Sequence, residues 1–211
     1  MKTLNFFNCF KAGYKVIDKS GEIVFTPLYL GDLILISGKL VACDPLVFPN
    51  TEPFTVNLNP GRYPVLLSIA HIPENNDRRV GYAMLCLSKQ TPIRWELATV
   101  PDQCLSLLKE GEIFGYGVDS GTGCFMDANA ALVIEESLDA ENFEETLANK
   151  LLEIMEKNFI PTWKWANLCI DESTGANVIA FSSGWGDGIY ATYFGYDIDD
   201  NIVSVVTDFC L

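Results

Sequence analysis

Two glycine-rich stretches hold most of the side chains that could do chemistry. In Gly115–Asp127 (GYGVDSGTGCFMD), Asp119 and Asp127 stand on either side of Cys124; in Ser182–Asp197 (SSGWGDGIYATYFGYD), Trp185 and Asp187 alternate with Gly184, Gly186 and Gly188. Three loop carboxylates, Asp119, Asp127 and Asp187, could converge to hold a divalent ion or to share general acid and base roles. The structural use of the same residues is commoner: short acidic side chains in glycine turns accept bonds from nearby amides, and Asp127 stands where a helix needs an N-cap. Cys124 precedes that helix, whose positive end would stabilise a thiolate, and His71 is the one histidine that could act as its base. A buried cysteine more often behaves as a small apolar residue.

The spacing excludes several familiar loops. A dinucleotide fingerprint needs G-x-G-x-x-G at the start of a helix, whereas Gly184, Gly186 and Gly188 lead into IYATYFGY, a β-branched and aromatic run that reads as strand. Neither a Walker lysine nor a G-x-S-x-G elbow is present. Asp197, Asp199, Asn201 and Asp208 fall at the first, third, fifth and twelfth positions of a calcium loop, but Ile202 occupies the sixth, where glycine is required, and the twelfth is not glutamate. Asp199, Asp200 and Asn201 therefore read as a hairpin turn. SGWGDG then reads as a tight strand connection that displays Trp185 and Asp187, with Asp187 facing the same concave region as Asp119. The expected pocket residues are Asp119, Cys124, Asp127, Trp185 and Asp187, with no metal and no cofactor.

The elements that must position these loops are mostly strands. GEIVFTPLYL, LILISGKLVACD, PVLLSIAHI and RRVGYAMLCL are short apolar or alternating runs bounded by turn residues, with a Pro60-Gly61 turn and a loop at Glu74–Asp77. Short helices are expected over DQCLSLLKE and over DANAALVIEE, the latter capped by Asp127. A long one is expected over DAENFEETLANKLLEIMEKNF, where Phe143, Leu147, Leu151, Ile154, Met155 and Phe159 recur at helical spacing. ANVIAFSSG, IYATYFGYD and NIVSVVTDF return to strand. With no internal repeat or linker in view, the expectation is a single α+β domain over 1–211, mostly antiparallel sheet with one long and two short helices.

Composition narrows the function. Of 211 residues 49% are hydrophobic, enough for a large core, and 28 acidic against 14 basic side chains give a net charge of −14. Such a field repels nucleic-acid phosphates and anionic lipid and speeds encounter with basic partners, although acidity also serves solubility. No run approaches the roughly 20 apolar residues of a spanning helix, and Asn5, Asn8 and Lys11 interrupt any signal-like segment, so a cytoplasmic location is expected. Cys9, Cys43, Cys86, Cys104, Cys124, Cys169 and Cys210 are widely spaced and odd in number, which argues against a zinc site and a disulfide framework and for free thiols.

Five segments, taken together and in order, resemble a known family. GKLVACDPL, NPGRYPVLLSI, FGYGVDSGTGCFMD, SSGWGDGIYATYFGYD and VSVVTDF are similar to motifs of the bacterial domain of unknown function 4241 family, over Gly38 to Phe209. The resemblance implies no catalytic activity and assigns no role to the matching Asp44, Pro60, Gly61, Asp119, Gly121, Asp127, Trp185, Asp187, Gly188 and Asp208. One departure is Asp200-Asn201, where a glycine-containing turn is usual.

The resulting expectation is a non-enzymatic acidic binding protein, immunity or antitoxin-like, that neutralises a basic protein partner, without nucleic acid or membrane. The alternative is a hydrolase or a ligand- or metal-binding enzyme that uses the aspartates of the glycine loops.

Overall fold

The computed structural model describes residues 6–18, 21–138, 144 and 146–210. After a 3-10 turn at Phe6–Phe10 come β1 (Tyr14–Asp18), β2 (Gly21–Leu35), β3 (Leu40–Cys43), β4 (Gly61–Ile72), β5 (Asp77–Cys86) and β6 (Arg94–Leu97). β7 (Tyr116–Val118) and β8 (Thr122–Asp127) lead into α1 (Ala128–Ser137) and α2 (Leu147–Lys157). β9 (Trp165–Asp171), β10 (Ala176–Ser182), β11 (Gly188–Tyr196) and β12 (Ile202–Asp208) follow. The large sheet runs β1-β2-β4-β5-β12-β11-β6, with β7 also on β11, and the small one runs β3-β8-β10-β9; the pairings are antiparallel.

Alternation along the small sheet explains how three layers stack. Leu40, Ala42, Phe125, Ile179 and Phe181 face the large sheet, where Leu33, Val65, Leu67, Leu85 and Phe194 meet them. The intervening Val41, Cys43, Cys124, Met126, Val178 and Ala180 face the helices and pack on Ile134, Leu151 and Met155. Covered on both sides, β8 is buried from Thr122 to Asp127 and reads as a continuous run rather than an alternating one. On the far face of the large sheet, Phe6 packs its ring against Trp95 (5.1 Å between centroids), Tyr193 (4.9 Å) and Tyr82 (5.6 Å).

The helices differ from expectation. Two α-helices of similar length are described, α1 with its Asp127 cap and α2 capped by Thr146. The N-terminal part of the expected long helix, Phe143 included, lies outside the described residues, and Phe159 falls beyond the end of α2, exposed. The segment expected as a helix after Pro101 forms only a 3-10 turn, Leu105–Leu107, because Leu105 and Leu107 have no layer to pack on and stay exposed. LILISGKLVACD is likewise not one strand: it breaks over residues 36–39, and its halves join different sheets. No helix among the described residues is long and apolar enough to cross a membrane.

The break exposes an internal repeat missed in the sequence. Ser37-Gly38 stands seven residues before Asp44 and Ser120-Gly121 seven before Asp127, giving SGKLVACD and SGTGCFMD, whose strands β3 and β8 pair antiparallel. β8 ends in, and β3 is followed at once by, a fully buried aspartate that clamps the turn entering the other strand. Asp127 accepts from Ile36 N (2.9 Å), Ser37 N (2.8 Å) and Ser37 Oγ (2.9 Å), and from Asn129 N (2.9 Å) in the first turn of α1. Asp44 accepts from Asp119 N (3.0 Å), Ser120 N (2.8 Å) and Ser120 Oγ (2.8 Å), and from Leu46 N (3.0 Å). Gly38 (φ +75°) and Gly121 (φ +68°) take the left-handed conformation in both turns, which glycine adopts without penalty.

Because burial makes an unanswered donor costly, truncating either aspartate strands several at once. Asp127→Ala and Asp44→Ala are each expected to lower unfolding free energy by roughly 3–5 kcal/mol. Urea denaturation measures this directly. A loss below about 1 kcal/mol, the cost of an ordinary surface change, would contradict the clamp.

Candidate functional site

The two glycine turns meet at one end of the sandwich. The β7–β8 turn is held by Asp44, and the β10–β11 connection, which crosses from the small sheet to the large one, bonds it through Ser183 N to Gly121 O (3.0 Å). Within that connection Gly186 N donates to Ser183 O (3.0 Å), while Ser183 Oγ and Tyr190 OH both donate to Gly186 O (2.8 Å each). Arg79, on β5, fastens it from outside: its guanidinium lies 4.2 Å from the centre of the Trp185 ring, donates to Gly184 O (3.2 Å) and pairs with Asp77 (2.7 Å). Trp185 keeps 55% of its surface open.

Strand alternation sets what this end displays. In the β7–β11 ladder Gly188 pairs with Val118, Ile189 with Gly117 and Tyr190 with Tyr116. Tyr116, Val118 and Tyr190 face the core, while Ile189 and Gly117 face outward, with Ile189 65% exposed. One residue beyond the last pair on each strand stand Asp187 and Asp119, both exposed. A side chain at Gly117 would stand 3.7 Å from the ring of Phe48, itself exposed together with Val47. Two exposed aspartates thus follow this ladder, with Ile189 and Phe48 exposed on its outer face and Trp185 in the same turn as Asp187.

The structure brings Asp119, Trp185 and Asp187 to this end, but not Cys124 or Asp127. The Cys124 thiol lies under the helices, 3.7 Å from its cross-strand neighbour Cys43, whose own thiol burial pushes well above the usual range. His71 is on β4 of the large sheet, where its Nε2 lies 3.3 Å from Asn76 Oδ1, so it does not serve Cys124. Asp127 sits at the opposite end of β8 from the Asp119 turn, its carboxylate spent on amides and Ser37. Two accessible carboxylates remain, not three.

The would-be calcium loop is the β11–β12 hairpin turn. Asp197 accepts from Asp199 N and Asn201 N (2.9 Å each), which holds its carboxyl below the usual range, the Asn201 amide being the main cause. Asp200 adopts φ +63°, a left-handed position that glycine takes without penalty. All seven cysteines are free thiols.

Sequence reasoning missed Arg79 and Asp44. Asp44 before Pro45 carries the signal of an Asx turn to Leu46, yet its other oxygen answers amides 75 and 76 residues away, which no local pattern announces.

A family model described as "Protein of unknown function (DUF4241)" matches residues 33–207. No curated protein and no solved structure matches the chain.

The three glycines of SGWGDG are not equivalent. Gly184 has φ +58° and a Cβ there would stand 2.8 Å from Phe209 Cβ; Gly186 has φ +103° with open space; Gly188 has no positive φ, and its Cβ would meet the Tyr190 ring at 3.3 Å. Replacement by alanine should therefore destabilise in the order Gly184 (about 2–3 kcal/mol), Gly186 (about 1 kcal/mol), Gly188 (under about 1 kcal/mol). Thermal or urea unfolding of the three variants checks the order, and equal effects would contradict it.

Proposed function

The chain belongs to the DUF4241 family, and we propose that it is a non-catalytic binding protein that captures a basic protein partner with the surface around Asp119 and Asp187. The observation that carries this is the exposed pair of carboxylates at the mouth of the β7–β11 ladder, beside exposed Ile189 and Phe48 and next to Trp185. Exposed carboxylates at the same end of the ladder accept charge-assisted bonds from a cation, so a lysine or arginine of a partner fits there. The aromatic and aliphatic neighbours supply the desolvated contacts around such an anchor. A net charge of −14 steers a basic partner toward the chain from beyond contact distance.

An immunity or antitoxin-like role in the cytoplasm suits these properties: the chain would occlude a basic enzyme and act through affinity rather than through chemistry. The hydrolase alternative is less well supported, since Asp127, one of the three aspartates it would use, spends its oxygens on backbone amides and Ser37.

Capture from lysate at low salt, followed by association kinetics with the isolated partner, tests the reading. The partner should be basic, its association rate should fall steeply as ionic strength rises, and Asp119→Asn/Asp187→Asn should weaken binding by about tenfold or more while leaving the unfolding midpoint unchanged. A partner bound equally well by the double variant, at a rate indifferent to salt, would refute it.

A further inference from the structure

A second concavity lies where the large sheet extends past the small one. It encloses about 380 Å³, within the range of small-molecule sites, between β2, β4 and β5 and the segment joining α2 to β9. Pro27, Leu28, Ile69, Ile160 and Trp163 give it apolar walls. The joining segment is itself a closed turn: Ile160 N donates to Trp163 O (2.8 Å), Trp163 N donates to Ile160 O (2.6 Å), and Thr162 Oγ1 ties it to Asp77 Oδ1 on β5 (3.1 Å). The wall is therefore fixed before any ligand arrives.

The cleft also holds one permanent cation, Arg78. Arg78 and His71 both line it and are direct partners in the β4–β5 register, which places their Cβ atoms about 5 Å apart on one face. Three of the four arginines hold carboxylates: Arg62 pairs with Asp32, Arg79 with Asp77, and Arg94 with Glu96 and Asp200. Arg78 has no carboxylate partner among the described residues, in a chain with 28 acidic side chains. The adjacent Asp77 is no substitute, because its oxygens are directed to Arg79 and Thr162. An always-charged guanidinium with no carboxylate partner among the described residues, at the end of an apolar trough, is a receptor for an anion carried on an apolar body.

We propose that this cleft binds a small amphipathic carboxylate, with the carboxylate on Arg78 beside His71 and the apolar body against Leu28, Ile69, Ile160 and Trp163. The site is separate from the Asp119–Asp187 surface and of opposite charge, so it stands or falls independently of the basic-partner reading.

Isothermal titration of the full chain with decanoate and with 4-phenylbutyrate tests it, with 1-decanol as the uncharged control. At least one of the two carboxylates should saturate a single site. Arg78→Gln should weaken that carboxylate by about tenfold or more without changing the affinity for decanol. Ile160→Glu, at an exposed rim position, should weaken the carboxylate and decanol alike, and circular dichroism melts should show both variants folded. No saturable binding of either carboxylate to the folded wild-type chain would overturn the proposal, as would an affinity unchanged in Arg78→Gln.

Discussion

The architecture depends on two carboxylates buried at the two ends of one antiparallel strand pair. β3 runs directly into Asp44, which grips the turn entering β8, and β8 ends in Asp127, which grips the turn entering β3. Burying an anion is costly unless its lone pairs are answered, and each aspartate is answered by three backbone amides and a serine hydroxyl. Once that condition is met, the ends of the ladder are closed and its register has nowhere to slip. The same clamps fix where the chain leaves the large sheet after β2 and where it begins α1 after β8.

From this pair the remaining layers follow. A small sheet with both faces apolar needs a cover on each side, and the helices supply one and the large sheet the other. The crossing back from β10 to β11 must then pass the Asp44-held turn, and it does so with Gly184 pressed against Phe209 and Val80. What the crossing leaves outside is the surface that carries Asp119, Asp187, Trp185 and Ile189.

Much of the sheet was legible because β4, β5 and β10 to β12 keep apolar runs between strong turn signals, and the cap of α1 was legible because N-caps are local. β7 and β8 were not, since Gly115, Gly117, Gly121 and Gly123 dilute the apolar pattern that marks a strand. The helix expected after Pro101 failed for another reason: Leu105 and Leu107 have no surface to bury against. At the site, local composition picked out the glycine turns. The division between anchoring and exposed aspartates was hidden, because Asp127 and Asp44 bond amides 75 to 91 residues away in sequence. The S-G-x5-D repeat was present in the sequence, but only the pairing of its two copies gives it meaning.

Amide hydrogen exchange on the native chain tests the reciprocal clamp most directly. Ser37, Asp119 and Ser120 sit in exposed turns, where amides ordinarily exchange at loop rates, yet each donates its N–H to a carboxylate buried from water. The predicted result is strong protection of all three in the wild type, with Asp119 and Ser120 losing it in Asp44→Ala and Ser37 in Asp127→Ala. Unprotected amides at these positions in the wild-type chain would contradict the account.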